Sequence, residues 1–404
     1  MDFNLQPDTP AISAFREEVR AWLEENMKGS EDLRWSATWS TRENEKEYRF
    51  RRNLAGKLGG KGWLFPMFPV EYGGGGLTNE HQLVLETELD RYGISLSHVF
   101  YTIARIVAPV ILKWGSEEQK HAFLPSMVRG KISVWQVLTE PQGGSDVANC
   151  RTRAIRDGDH YLVNGQKTMV GYHHPPDFLW TLVCTDPSAP RHENLGWIHI
   201  PGNLPGITIQ PMSLMMGIKN TVFFDDVRVP AINLVGGENN GWKVANTHLE
   251  IEHGGEGGVG VDPVVERVVE YCQRMQVDGK PLIEDTSTRD LIADMMIDLH
   301  VLKLFTQRNF WHRYAREPHS YGGAQYRYYQ RMMRLRNGER LQQIMGYDAL
   351  VPDLTVHEVV DFEYVVRNGP GQLHGGGTLD TDRLIFARRA GLGRPTKEKA
   401  PTTI

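Results

Sequence analysis

Apolar positions recur at helical spacing near the start of the chain, alternate with polar ones in the middle, and return to helical spacing in the last third. In "TPAISAFREEVRAWLEENM", Ile12, Phe15, Val19, Trp22 and Leu23 share one helical face. Thr9 is placed to cap that helix, and Pro10 fits its first turn, where the missing N–H costs nothing. "SLSHVFYTIARIVAPVILKWG" predicts a largely buried helix interrupted or kinked at Pro109. "SEEQKHAFLPSM" predicts another, opening at Ser116 with carboxylates in its first turn. Beyond about residue 135 the helical period disappears. "CRTRAIRDGDHYLVNGQKTMV" predicts two strands about an Asp-Gly turn, with Asn164-Gly165 as a second turn. "FLWTLVCTD", "GWIHIP", "GITIQPM" and "TVFFDDVRVP" continue as short strands between Gly and Pro breaks. From Gly241 helices return. Leu291, Met295, Leu299 and Leu302 form a core stripe, and "SYGGAQYRYYQRMMRLRNGERLQQIMG" predicts a long polar helix. The tail "GLGRPTKEKAPTTI" carries no such pattern and is expected to be mobile. The expectation is an α+β chain: an N-terminal helical domain (1–134), a middle β-barrel or sandwich domain (135–240) and a C-terminal helical bundle (241–404).

Composition narrows the function classes. The 404 residues suffice for two or three domains, and 40% hydrophobic with 24% charged residues is ordinary for a globular protein. A net charge of −5 gives no electrostatic footprint for nucleic acid. No apolar run reaches the length of a membrane span, and "MDFNLQPDTP" lacks the layout of a signal peptide. Cys150, Cys184 and Cys272 are scattered and odd in number, which predicts reduced thiols and a cytoplasmic location and argues against a zinc site. The adjacent pair His173-His174 in "YHHPPD" fits a cleft or surface loop better than a metal site.

The stretches at the joints between these patterns carry the chemistry. In "LTEPQGGSD" (138–146) a hydrophobic run stops at Thr, Glu and Pro, followed by two glycines and Ser-Asp. Pro141 fixes a backbone angle, and the glycines permit close approach of a ligand to the main chain. By local chemistry alone this is either a ligand-holding turn or a strand-entry turn in which Ser145 caps its own backbone. The stretch resembles the Thr-Glu-Pro-x-x-Gly-Ser-Asp signature of acyl-CoA dehydrogenases. "LVNGQKTMVGY" (162–172) resembles that family's second flavin-facing strand, and "MGIKNTVFFDDVRVPAINLVGGENNGWKVA" (216–245) its exit from the β-domain. "HGGGTLDTDRLIFARR" (374–389) resembles its final segment, in the form found in the lineage acting on bulky, branched or steroid side-chain acyl-CoAs. The four stretches occur in the family's order and spacing and cover nearly the whole chain.

The resemblance implies an FAD enzyme that places a 2,3-double bond in an acyl-CoA thioester. A base takes the proton beside the carbonyl, the flavin accepts a hydride from the next carbon, and donors stabilise the developing enolate. It implies Leu138, Thr139, Gly144 and Ser145 along the flavin, with Met169 and Gly171 where the family carries Trp and then Ser or Thr. It places Thr378 and Asp380 in the final segment, and Arg274 near the position of an Arg that reaches the flavin pyrophosphate across a subunit interface. The family's base occupies one of two positions. At the first, usually Tyr-Glu-Gly-Thr, this chain has Gly375-Gly376-Gly377-Thr378, so Gly376 retains only an N–H to polarise the thioester. At the second, "HLEIEHGG" places Glu252, where a partly apolar cleft would raise a carboxyl pKa toward working pH. Solvated helix-face charges are the other reading of Glu250, Glu252 and Glu256. His253 stands where an Arg often follows, and "EGGVGV" is glycine-rich for a helix, each interior Gly costing about 1 kcal/mol relative to Ala. These departures admit two alternatives: a flavin-poor partner in a hetero-oligomer, or a flavin monooxygenase or oxidase on the same fold. The family further implies a homo-dimer, homo-tetramer or hetero-oligomer, and an electron-transferring flavoprotein as acceptor.

Overall fold

The computed structural model describes residues 8–30, 45–92, 94, 96, 99, 103–171, 174–215, 217–253, 264–314, 320–351, 362–371 and 373–392. The chain divides into two compact units, one comprising 36–85 and 96–252, the other 1–35, 86–95 and 253–404. The glycine-rich run after His253, His173 and most of the C-terminal tail lie outside the described residues.

In the first unit, α2 (Glu45–Gly60), α4 (Ile103–Trp114) and α5 (Glu117–Val128) precede the sheet, and α6 (Gly241–His253) follows it. The predicted start of α5 is a full capping box: Ser116 Oγ accepts from Gln119 N, and the Gln119 side chain accepts from Ser116 N. Gln119 Nε2 also donates to the carbonyls of Ile232 and Leu234 at 2.6 and 2.7 Å, tying the helix to the chain around the last strand. Of the two outcomes expected at Pro109, an interruption or a kink, the interruption does not occur: helix α4 runs on through it, and with Ile103, Ala104, Val107, Ala108, Val110 and Ile111 buried, packing outweighs the lost hydrogen bond.

The predicted all-β segment forms one eight-stranded sheet in the order β6-β7-β3-β2-β4-β5-β8, with β1 paired to β4. The strands are β1 (Val134–Val137), β2 (Arg153–Asp157), β3 (His160–Val170), β4 (Phe178–Cys184), β5 (Leu195–Pro201), β6 (Ile207–Leu214), β7 (Gly217–Pro230) and β8 (Leu234–Val235). Pairing is antiparallel except for β1–β4 and β2–β4. Strands β4 and β5 are buried along nearly their whole length, which explains their continuous apolar runs, whereas β3 alternates over its first half. The predicted turn at Asn164-Gly165 is instead a bulge inside β3: pairing with β7 shifts register between Val163 and Gly165. Asn164 exchanges hydrogen bonds of 2.9 and 3.0 Å with Asp226 across the bulge, and a Cβ on Gly165 would stand 2.7 Å from Thr152 Cα. Glycine therefore serves close strand approach here rather than chain reversal.

In the second unit, Thr9 caps α1 (Pro10–Asn26), as the sequence predicts. Arg16 and Arg20 of α1 both bind the buried Glu88 of α3 (Asn79–Asp90). Helices α7 (Val264–Arg274), α8 (Thr286–Tyr314), α9 (Gly322–Met345), α10 (Phe362–Gly371) and α11 (Leu379–Arg389) make up the C-terminal part. The predicted stripe is realised: Met295 is fully buried with Val268, Cys272, Leu341 and Phe362, Leu291 and Leu299 pack against that cluster, and Leu302 packs with Tyr326 and Met333.

Candidate functional site

Strand β1 ends at Val137, and the chain turns at once. Glu140 and Gly143 exchange backbone hydrogen bonds of 3.3 and 3.0 Å around Pro141, closing a tight turn. The Glu140 side chain turns inward and meets Lys167 of β3 at 2.8 Å, with both side chains almost wholly buried. It also accepts from Arg151 N (2.7 Å), Thr152 N (2.9 Å) and Cys150 Sγ (3.2 Å), while Lys167 donates to Leu138 O at 3.1 Å. Burial alone would raise the Glu140 pKa; the Lys167 charge and hydrogen bond, with the two backbone N–H groups, overrule it and bring it down to about 2. Burial beside this carboxylate pushes the Cys150 thiol up to about 12, so it stays protonated. The Glu of the first motif and the Lys of the second are thus one buried pair that fixes the turn. Sequence reasoning passed over both; a Glu beside Pro at a strand end and a Lys in a buried strand position were the available signal.

With its root fixed, the outer part of the turn is bare. A Cβ on Gly143 would meet nothing within 4 Å, and one on Gly144 would meet only Thr139 side-chain atoms at 3.5 and 3.9 Å. Packing among the described residues does not demand these glycines, and neither has a positive φ. They leave uncovered main chain that a ligand can approach. Neither the Thr139 nor the Ser145 hydroxyl has a hydrogen-bond partner among the described residues, so Ser145 does not cap its own backbone. Leu138 and Thr139 are half-buried and Gly144 and Ser145 exposed, with the Asp146–Arg191 ion pair at the turn's end.

Strand β3 delivers Met169 and Gly171 beside this turn, through the Thr168 N to Thr139 O hydrogen bond of 2.8 Å. A second bulge, between Lys167 and Val170, puts Met169 in the left-handed region at φ 57° and turns its side chain outward, 54% exposed. A non-glycine residue held in that region beside a bare turn is a signature of functional sites. Gly171 has φ 68°, and a Cβ there would lie 2.4 Å from ring atoms of the buried Trp135. The absence of a Ser or Thr hydroxyl at 171 therefore has a steric cause: an indole from β1 lies against that position. Lys219 and Asn220 of the third motif hold the same corner, donating to Gly171 O (3.5 Å) and Val170 O (3.1 Å).

Glu252 lies in the last turn of α6, with its side chain 18% exposed. Gln136 Nε2 of β1 donates to Glu252 Oε2 at 3.2 Å, and His248, one turn earlier and fully buried, brings Nε2 within 3.8 Å of the same oxygen. Burial pushes His248 down to about 3, so it stands neutral beside the carboxylate. Glu252 is thus a half-buried, anchored carboxylate rather than a solvated helix-face charge. Neither Gln136 nor His248 was singled out from the sequence, although the i, i+4 spacing of His248 and Glu252 was visible there.

The second unit carries the remaining residues. Gly376 (φ 66°) and Gly377 (φ 97°) form a left-handed turn before α11. Thr378 is the N-cap of α11, its hydroxyl accepting from Thr381 N at 3.3 Å. Asp380, in the first turn of α11, has a side chain 91% exposed. Arg274 is exposed in the last turn of α7, ahead of a small hairpin of β9 (Gln276–Val277) and β10 (Lys280–Pro281). Among the described residues no group of three His, Cys, Asp or Glu side chains could hold a metal ion. His174 stacks on Tyr48 with ring centroids 3.8 Å apart. All three cysteines are free and buried.

Comparison with known proteins accords with this geometry. Three family models match in order: the acyl-CoA dehydrogenase N-terminal domain over residues 9–131, the middle domain over 136–227 and the C-terminal domain over 239–391. Acyl-CoA dehydrogenase IpdE1 of Mycobacterium tuberculosis is 31% identical over 285 residues, 69% of this chain and 73% of that protein. Acyl-CoA dehydrogenase FadE29 of the same organism is 36% identical over 203 residues, 50% of this chain and 52% of that protein, so this match spans about half the relative's length. Among solved structures, the Tcur3481-Tcur3483 steroid ACAD superposes with a TM-score of 0.80 at 28% identity, covering 98% of this chain and 100% of that one. A chain of the ChsE4-ChsE5 complex from Mycobacterium tuberculosis does so with a TM-score of 0.79 at 27% identity, covering 97% and 100%.

Proposed function

Because the chain belongs to the acyl-CoA dehydrogenase family, we propose that it is an FAD-dependent dehydrogenase that introduces a 2,3-double bond into a bulky or ring-containing acyl-CoA. The observation that carries this reading is the turn Thr139–Ser145 on its buried Glu140–Lys167 root, with the main chain at Gly143 and Gly144 open and the Thr139 and Ser145 hydroxyls unpaired among the described residues. Such a surface fits a flat ring and its pyrophosphate. We assign Leu138 and Met169 to the ring, Thr139, Gly144 and Ser145 to hydrogen bonds along it, with Gly171 shaping the wall through Trp135, and, following the family pattern, Thr378 and Asp380 of the final segment and an Arg274 reaching the pyrophosphate across a subunit interface to the remaining contacts. Bound FAD would supply the hydride acceptor. Glu252 removes the proton beside the thioester carbonyl, held by Gln136 and kept beside a neutral His248. The Gly376 N–H donates to the carbonyl oxygen as charge develops there.

We divide the chain functionally into the N-terminal helical domain 1–134, the β-domain 135–240 and the helical bundle 241–404. The three reduced cysteines suit the cytoplasm, and among the described residues no helix is long and apolar enough to cross a membrane. An oligomer is expected from the family, with an electron-transferring flavoprotein as acceptor. A second reading has a specific basis: relatives of similar fold are two-component assemblies by name, so this chain would work beside a related, unlike partner. The test is flavin content of the chain purified alone, followed by turnover of an acyl-CoA panel by wild type and Glu252→Gln. The first reading expects about one FAD per chain and a loss of roughly 10²- to 10⁴-fold in the variant with the fold retained. Full turnover by Glu252→Gln sinks the base assignment. A colourless protein that gains flavin only on co-expression with a related chain moves the assignment to the paired form.

A further inference from the structure

Helix α9 carries Arg327 and Arg331 one turn apart, both nearly buried, and both face the Gly375-Gly376-Gly377 turn. Arg331 Nη1 donates to Gly377 O at 2.6 Å, its Nη2 donates to Gly375 O, and Arg327 Nη2 donates to Gly376 O. Asp382 of α11 is their shared counter-charge, 2.9 Å from Arg331 and 3.5 Å from Arg327, with its side chain 2% exposed. The Asp382 Oδ2 contact with Arg331 is an ion pair without hydrogen-bond alignment. Three successive carbonyls are therefore drawn to one pair of guanidinium groups.

A planar trans peptide sets each N–H opposite the preceding carbonyl. With the carbonyls of 375, 376 and 377 committed to the arginines, the N–H groups of Gly376, Gly377 and Thr378 point away from them. None of the three has a backbone partner among the described residues. The left-handed angles of Gly376 and Gly377 are what allow consecutive peptides to align in this way. Successive N–H groups sharing a direction make a concavity for negative charge. A charged donor on each carbonyl also polarises the amide toward giving up its proton.

We propose that Arg327 and Arg331 are positioning residues: they clamp the glycine turn from behind so that its N–H groups form a preset, polarised donor array for the thioester oxygen. This inference rests on the reading of Gly376 as the carbonyl donor. In this chain, which has no carboxylate at position 376, the turn is free to specialise in that role. The planar Arg331 fork presents separate nitrogens to Gly375 O and Gly377 O at once, a geometry that the single nitrogen of a shorter lysine does not reproduce.

The test is the infrared carbonyl band of ¹³C-thioester-labelled 2,3-enoyl-CoA, the product, which undergoes no further dehydrogenation, bound to oxidised flavin-loaded wild type, Arg331→Lys, Arg327→Lys and Glu252→Gln and compared with the free thioester, with kcat and KM for each on the saturated acyl-CoA. The lysine variants keep the buried charge and so guard against simple loss of folding, which thermal unfolding checks. The expected result is a lowered carbonyl frequency in wild type and Glu252→Gln, and a return toward the free value in both lysine variants. Their kcat should fall roughly tenfold or more with a smaller change in KM, because the lost interaction is stronger in the transition state than in the bound ground state. A band in the lysine variants that stays at the lowered wild-type frequency, or a loss confined to KM, overturns the clamp while leaving the dehydrogenase reading intact. A wild-type protein that binds the enoyl-CoA without any carbonyl shift overturns the donor role of Gly376, and the clamp with it.

Discussion

Replacing Glu140 by Gln would remove one charge from the buried pair that roots the candidate flavin turn. The carboxylate and ammonium are 2.8 Å apart, with side-chain exposures of 4% and 0%. At an effective dielectric near 20, their attraction is about 6 kcal/mol, against desolvation of several kcal/mol per ion. The pair as a whole thus contributes modestly, but breaking it leaves the Lys167 ammonium buried among neutral acceptors, Leu138 O, the Cys150 sulfur and, in the variant, the Gln amide oxygen. Such a loss costs about 3–5 kcal/mol. Glu140→Gln and Lys167→Met should each cost about that much. The double variant should cost about 2–3 kcal/mol less than the sum, because it strands no charge. Urea unfolding of the four proteins gives the cycle, and flavin content reports whether the turn survives. Single costs below about 1 kcal/mol, or strict additivity, would refute the role given to the pair.

The same pair predicts an acid limit. Its carboxyl lies near 2 in the fold against an ordinary 4.5, so its stabilisation is full above about pH 4.5 and is lost as pH falls toward 2; Glu140→Gln should flatten that part of the stability profile. Gly171→Ala drives a Cβ to 2.4 Å from the Trp135 ring at a left-handed φ and should cost about 2–3 kcal/mol in thermal unfolding. Gly144→Ala meets nothing closer than 3.5 Å, so its stability should stay within about 0.5 kcal/mol while its flavin affinity drops; retained affinity would show that the turn's bareness is incidental. Met169→Gly relieves a left-handed strain of about 1 kcal/mol and should raise the melting temperature while weakening flavin binding.

Much of the fold was legible because period and caps are local. Thr9, Ser116 and the alternation of β3 all speak through neighbours within a few residues, and the structure reproduces each. The failures came where distant partners decide. Asn164-Gly165 reads as a turn in isolation, but Asp226 and Thr152 approach it and make a bulge. Pro109 reads as a break or a kink, and burial of its neighbours keeps the helix from breaking. The position of Glu252 followed from the family pattern, whereas its anchors Gln136 and His248 became visible only once β1 met α6. Gly376 was read for its own N–H; the arginines behind it lie more than forty residues away and have no local signature. Likewise, the motif Glu and the motif Lys are separated by a hairpin in sequence and joined only in the folded sheet.

The most direct measurement is anaerobic addition of a ring-containing acyl-CoA to the flavin-loaded chain, following the visible flavin band and assaying the thioester product. The account predicts bleaching of the band with one 2,3-enoyl-CoA formed per flavin, and no bleaching in Glu252→Gln. A chain that carries its full complement of flavin, binds acyl-CoAs of every class in the panel and bleaches with none of them would contradict it.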